Sequence, residues 1–345
     1  MAGLIDLRSD TVTRPTPAMR QAMAAAEVGD DWFGDDPTVS RLQERAAEVT
    51  GRQAALYLPT GTLCTQIALH ALVRSGHLVV CEASAHVCGM ELGAAAVLSG
   101  VTFRPVPGTR GVLTGSQVTT ALTPHPYDVT VVDLVAIENT HQVGGGTVQS
   151  VAQVASVASA CAAAGVPLYL DGARIFNACA VTGAAVSDYA AHVHAMMFCL
   201  SKGLGAPIGS MLVGDAEFIR EARRLKVLFG AAWRQAGILA AAGLIALEEG
   251  PKRLPDDHDN AQVLARGIAD LLPGSVDPGA VATNIVFVDV AGTGWSPSQW
   301  AAGLKAEGVL VTMVSGKVRM LTHRDVSKAD VETALAAWRR VAQAD

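Results

Sequence analysis

The stretch Met196-Met197-Phe198-Cys199-Leu200-Ser201-Lys202-Gly203-Leu204-Gly205 constrains the fold more than any other. Its apolar run does not alternate, which fits a strand covered on both faces, and such strands belong to sheets flanked by helices. The run stops at Ser201-Lys202, and Gly203 and Gly205 let the backbone turn at once. A lysine held beside apolar surface loses solvation of its charged form, so its pKa should fall and its amine become nucleophilic. A Schiff base with an aldehyde cofactor requires such an amine.

Further apolar segments at 54–58, 78–81, 101–106, 129–137, 166–170 and 211–213 read as strands. Helices are expected between them: from Asp36-Pro37, from Pro59-Thr60-Gly61-Thr62, from His86 through Leu98, over 151–164, and at about 215–228 and 234–249. Strands alternating with helices predict an open, mainly parallel α/β sheet with its site along the carboxyl ends of the strands. From Pro251 the rhythm changes to a helix at about 256–271, a strand at 284–290, a helix at 297–307, short strands within 309–320 and a last helix from Val326. The expected divisions are an N-terminal arm (1–15) crossing the surface, a large domain (16–250) and a small α+β domain (251–345).

Half of the 345 residues are hydrophobic and 5% aromatic, the makeup of a globular chain with a large core. The net charge of -6 gives no basic footprint, so nucleic acid is not an expected partner. The six cysteines (64, 81, 88, 161, 179, 199) show no Cys-x-x-Cys, which argues against a metal cluster or disulfide framework. That usage suits a reducing compartment. No segment has the apolar length of a membrane span or the pattern of a leader, so the expected location is the cytoplasm.

Four strand ends supply His86, His141, Asp171 and Lys202. Beside them Thr60-Gly61-Thr62 opens a helix whose free N–H groups suit a phosphate. Pyridoxal phosphate asks for this set: a lysine for its aldehyde, a carboxylate to keep the pyridine nitrogen protonated, amides for the phosphate and a ring against its face.

Several stretches carry a resemblance to a known family. They are the arm 6–14, Glu27-Val28-Gly29-Asp30-Asp31, Ile137-Glu138-Asn139-Thr140-His141, Asp171-Gly172-Ala173-Arg174-Ile175-Phe176-Asn177, the Lys202 segment, Arg234-Gln235-Ala236-Gly237 and Arg319-Met320-Leu321-Thr322-His323. In these the chain resembles the low-specificity L-threonine aldolases, of the fold-type I pyridoxal-phosphate enzymes (the aromatic amino acid beta-eliminating lyase/threonine aldolase group). The resemblance implies that Lys202 carries pyridoxal 5'-phosphate, Asp171 pairs with the pyridine nitrogen and His86 stacks on the ring. It implies that Thr60, Gly61 and Thr62 bind the phosphate, with Arg234 reaching it from a neighbouring subunit of a homotetramer. Ser9, Arg174 and Arg319 resemble the cradle for the substrate carboxylate and the cofactor's phenolic oxygen.

The reaction implied is retro-aldol cleavage of L-threonine, L-allo-threonine and related β-hydroxy-α-amino acids to glycine and an aldehyde. His141 or His86 is the natural base. Departures from the family pattern at Phe33, Gly89, Val227 and Trp233 favour bulkier substrates. The alternative is a β-eliminating lyase or aldol-type transferase acting on a bulkier β-hydroxy amino acid.

Overall fold

The computed structural model describes residues 4–124, 127 and 130–343. Twelve strands occur among the described residues. They are β1 (Ile5–Asp6), β2 (Ala54–Leu58), β3 (Leu78–Glu82), β4 (Thr102–Val106), β5 (Val132–Glu138), β6 (Leu168–Asp171), β7 (Ala195–Cys199), β8 (Ser210–Gly214), β9 (Ile285–Val288), β10 (Val309–Leu310), β11 (Thr312–Val314) and β12 (Lys317–Leu321). The strand expected over 129–137 begins at Val132, and Val129 lies outside the described residues, as do positions 1–3 of the arm.

Seven strands form the large sheet in the order β2-β8-β7-β6-β5-β3-β4. Its pairs are parallel except those of β8 with β2 and β7. Alternation along the strands divides the core into two faces. Val80, Val135, Ile137, Leu170, Met196 and Phe198 pack beneath one layer of helices. Val79, Leu134, Ala136, Tyr169 and Met197 pack beneath the other. Phe198 has no exposed surface, and its truncation to alanine would cost roughly 3–5 kcal/mol. Parallel register also aligns the polar strand ends: Glu138 pairs with Asp171, and Asp171 with Met197 of the strand that leads to Lys202. The expected apolar run with a polar end therefore becomes a row of functional groups on one edge.

The expected helices at 234–249 and 256–271 are one helix, Gly237–Leu271, with Pro251 and Pro255 inside it. Each proline removes one backbone hydrogen bond, but packing overrides that loss. Gly250 lies so close to Leu204 that an added Cβ would fall 2.8 Å from its Cα, and Leu254 is fully buried. The helix passes from the large core to the smaller one, where Leu264, Ala265 and Ile268 join β9, β12 and the helix Lys328–Gln343.

The helix expected from His86 through Leu98 is two, His86–Gly89 and Ala94–Ser99. Leu92 and Gly93 between them take positive φ (53° and 72°), which no helix continues through. The N-terminal arm is only partly a surface segment, with Arg8, Thr11 and Arg14 exposed and residues between them turned inward. β1 pairs with β10, Leu7 is fully buried, and Asp10 is buried because Arg174 neutralises it.

Candidate active site

A cavity lies over the carboxyl ends of β3, β5, β6 and β7 and the start of the helix Gly61–Leu72. It is lined by Thr60, Gly61, Thr62, His86, Glu91, Glu138, Gln142, Asp171, Arg174 and Lys202, among others. The sheet thus brings strand-end and helix-start groups from distant parts of the sequence to one opening.

The helix start is built for close approach. Thr60 is its N-cap, and its Oγ1 accepts from the Leu63 N–H at 3.1 Å. A Cβ on Gly61 would meet Met197 Cε at 2.6 Å and Cys199 Sγ at 2.9 Å, so a larger residue there would have to displace those side chains. Lys202 follows β7 at a turn closed by the Gly205 N–H donating to the Lys202 carbonyl at 2.9 Å. The same carbonyl accepts from Thr13 Oγ1 at 3.3 Å, which ties the N-terminal arm to the lysine.

Asp171 is nearly buried, and its Oδ1 accepts from the Ala173 N–H at 3.0 Å. No donor reaches its Oδ2 among the described residues. His86 Nδ1 lies 2.9 Å from Glu91 Oε1, and its backbone N–H donates to Glu138 Oε2 at 2.8 Å. The hydrogen bond to Glu91 raises the His86 pKa above the ordinary histidine value; burial opposes this, and the charges of Asp171, Glu91 and Glu138 add to it.

The other expected residues are not all brought to the cavity. His141 has no exposed surface and stands behind the opening, with Nε2 3.2 Å from Glu82 Oε2 and 3.7 Å from Glu138 Oε2. Its Nδ1 accepts from the Gly144 N–H at 3.1 Å, so the ring's proton belongs on Nε2, facing those carboxylates.

Arg174 reaches the cavity with its fork already filled: Nε donates to Asp10 Oδ2 at 2.7 Å and Nη2 to Asp10 Oδ1 at 2.6 Å. Only Nη1 turns elsewhere, 3.4 Å from Gln142 Oε1. Burial opposes the charge on Asp10, but the Arg174 charge and hydrogen bonds, with help from Lys202 and Asn284, hold its pKa down to about 2.

Arg319 is buried nearby, where burial and then the Arg174 charge lower its pKa. Its hydrogen bonds go to neutral oxygens, Nη2 to the Arg8 carbonyl and Nε to Thr312 Oγ1, each at 3.2 Å. Ser9 sits beside Asp10, with Oγ 3.4 Å from its Oδ1. Arg234 is over half exposed and lies outside this chain's cavity, 3.7 Å from Asp30 and over the ring of Trp32.

Sequence reasoning missed Asp10, Glu91 and Gln142, and quoted Glu138 only within a motif. Asp10 stood within a recognised stretch, but among polar neighbours such as Arg8, Ser9 and Thr11 its charge gave no sign of burial. Glu91 carried none, because its distance from His86 depends on the break between two short helices.

A model of the beta-eliminating lyases matches residues 6–293. The chain belongs to that family. Within it, this chain is 39% identical over 339 residues to the low specificity L-threonine aldolase of Escherichia coli (strain K12), covering 97% of this chain and 98% of that one. It is 37% identical over 344 residues to a probable low-specificity L-threonine aldolase 2 of Arabidopsis thaliana, covering 98% and 97%. It therefore stands with the low-specificity L-threonine aldolases. Among solved structures, a threonine aldolase of Leishmania major shares its fold with a TM-score of 0.81 at 19% identity, covering 98% of this chain and 99% of that one. Serine palmitoyltransferase of Sphingomonas wittichii does so with a TM-score of 0.77 at 15% identity, covering 99% and 88%. The fold is that of the fold-type I pyridoxal-phosphate enzymes.

Proposed function

We infer that this chain cleaves L-threonine and related β-hydroxy-α-amino acids to glycine and an aldehyde, with pyridoxal 5'-phosphate as cofactor. One observation carries the reading. Lys202 and Asp171, from neighbouring strands β7 and β6, line the same cavity as the Thr60-Gly61-Thr62 helix start. The names of the relatives, low-specificity L-threonine aldolases, support the same reaction.

The donor set fits the cofactor. Lys202 offers the amine for its aldehyde, Asp171 a carboxylate with one unpaired oxygen for the pyridinium nitrogen, and Gly61 and Thr62 N–H groups for the phosphate. When bound, pyridoxal phosphate supplies an electron sink for the pair released at Cα.

The chain's own residues do the rest. His86 takes the β-hydroxyl proton at Nε2, since Nδ1 is engaged by Glu91, and the hydroxyl carbon becomes the aldehyde as Cα–Cβ opens. His141, closed off behind Glu82 and Glu138, acts as a positioning group for the strand ends. Arg319 holds the substrate carboxylate, because its present partners are neutral, whereas Asp10 has filled the fork of Arg174. Arg174 lines the cavity, where its Nη1, held only by the 3.4 Å contact with Gln142, serves the cofactor's phenolic oxygen, and Ser9 stands beside Asp10 behind it.

The assembly we infer is a homotetramer with Arg234 completing a neighbour's phosphate site. The exposure of Arg234, and of Trp32, Phe33 and Leu228 on the same side, supports it. The six unpaired cysteines support a cytoplasmic location. The test is direct: incubate the purified, cofactor-loaded protein with L-threonine and with L-phenylserine and identify the products. Glycine with acetaldehyde or benzaldehyde is expected; ammonia and a keto acid in their place would move the reaction to β-elimination.

A further inference from the structure

Behind His86 lies a buried line of polar groups, of which the reaction as written uses only the contact of Glu91 with Nδ1. Glu91 is 2% exposed at its side chain. One of its oxygens meets His86 Nδ1 at 2.9 Å, and the other accepts from Gln66 Nε2 at 2.6 Å. Gln66 is itself buried, one turn beyond Thr62 on the helix whose first N–H groups face the cavity. A carboxylate has only lone pairs to offer, so a Glu91 that takes a proton from Gln66 on one side must take one from Nδ1 on the other. That leaves the neutral imidazole with its lone pair on Nε2.

We propose that Glu91 is a positioning residue that fixes His86 as the Nδ1–H tautomer and makes Nε2 the proton acceptor, with Gln66 keeping the carboxylate in place. The proposal rests on the reading of His86 as the base of an aldolase. The proton balance is simple: Nε2 gains the β-hydroxyl proton, the ring becomes imidazolium, and Glu91, remaining ionised, stabilises that cation until the proton is returned.

The other charged groups facing His86 are Glu138, which holds its backbone N–H, Asp171 on β6, and Arg174 and Lys202 across the cavity. Both Glu138 and Asp171 raise the His86 pKa, so losing Glu91 alone should lower it without removing the shift entirely. The buried Oε1 of Gln66, which has no partner, faces a competing arrangement: a protonated Glu91 could donate to it after an amide flip. In that arrangement Glu91 would contribute no charge to His86.

The experiment pairs a spectroscopic and a kinetic readout on the cofactor-loaded enzyme. Histidine-labelled protein, with His86 assigned by loss of its signal in His86→Asn, gives the ring tautomer and titration from two-bond nitrogen–proton spectra. The Nδ1–H form is expected in the wild type above its titration, and the Nε2–H form would overturn the proposal without any variant at position 91. In Glu91→Gln, both the His86 titration and the acidic limb of kcat/KM should move to lower pH. If both stay where they are in the wild type, Glu91 is only a packing group. Glu91→Leu should lower the plateau of kcat/KM by about tenfold or more, short of the roughly 10²–10⁴-fold of losing a general base outright, because His86 itself remains. Should that variant not fold, the wild-type tautomer and Glu91→Gln still decide. If wild-type enzyme forms no glycine while His86 shows the expected tautomer and shift, the aldolase reading fails and the Glu91–His86 pairing stands.

Discussion

The two ends of the cavity differ in how much of their chemistry is already spoken for. At the Lys202 end, functional atoms are left open: Asp171 uses one oxygen, and Lys202 contributes its backbone carbonyl rather than its amine to the fold. At the Arg174 end, charge is cancelled within the chain, with Asp10 gripping the guanidinium in a buried bidentate pair. Arg319, on β12 of the smaller sheet, keeps its charge against neutral partners. Two arginines of similar burial thus have different partners, and partner charge rather than residue type separates them.

Substitution at the open end should produce the largest effects. Lys202→Ala is expected to retain the fold and abolish turnover, and borohydride treatment of the wild type should attach the cofactor covalently at Lys202. Label at another residue would remove Lys202 from its role. Asp171→Ala should lower kcat by roughly 10²–10³-fold, the scale of losing one preorganised electrostatic partner of a charged transition state. A near wild-type rate would mean that the ring nitrogen is held by another group.

At the neutralised end the expected loss is stability. Asp10→Asn leaves the Arg174 charge buried without its counter-ion, at a cost of about 3–5 kcal/mol in denaturant unfolding. The wild type should show the corresponding pH dependence. The folded Asp10 titrates at about 2 against an ordinary 3.8, so its contribution is full above the unfolded value and fades as pH falls toward 2. That difference amounts to about 2 kcal/mol, and the slope should vanish from acid unfolding of Asp10→Asn.

Arg319→Lys should raise KM for L-threonine about tenfold with little change in kcat, because lysine replaces a fork with a point charge. If Arg174→Lys does so instead, the assignment of the two arginines is reversed. The smallest effect is expected at Phe33, which is exposed and lies outside its own chain's cavity. Phe33→Tyr should change the ratio of kcat/KM for L-phenylserine over L-threonine by less than about tenfold. A larger change would show that this loop reaches the cavity of a neighbouring chain. Trp233 is similarly placed, packed edge-on against Tyr57 at 5.0 Å and away from the opening.

By itself the sequence determined the strand that ends at Lys202, the glycine-opened helix start at Thr60 and the carboxylate at Asp171. Each is legible because its chemistry and its local conformation are written in neighbouring residues: an apolar run, a cap, a turn. The open α/β architecture followed from the same local periodicities. Only the tertiary structure decided which polar groups meet. Asp10 and Arg174 are 164 positions apart, and Gln66, Glu91 and His86 converge from two elements. It was also packing that carried one helix through Pro251 and Pro255, where local propensity called for a break. The physical reason is common to these cases. Burial turns a pairwise contact into a strong constraint, since an unpaired charge or polar atom is costly away from water, and burial belongs to the assembled chain rather than to any stretch of it.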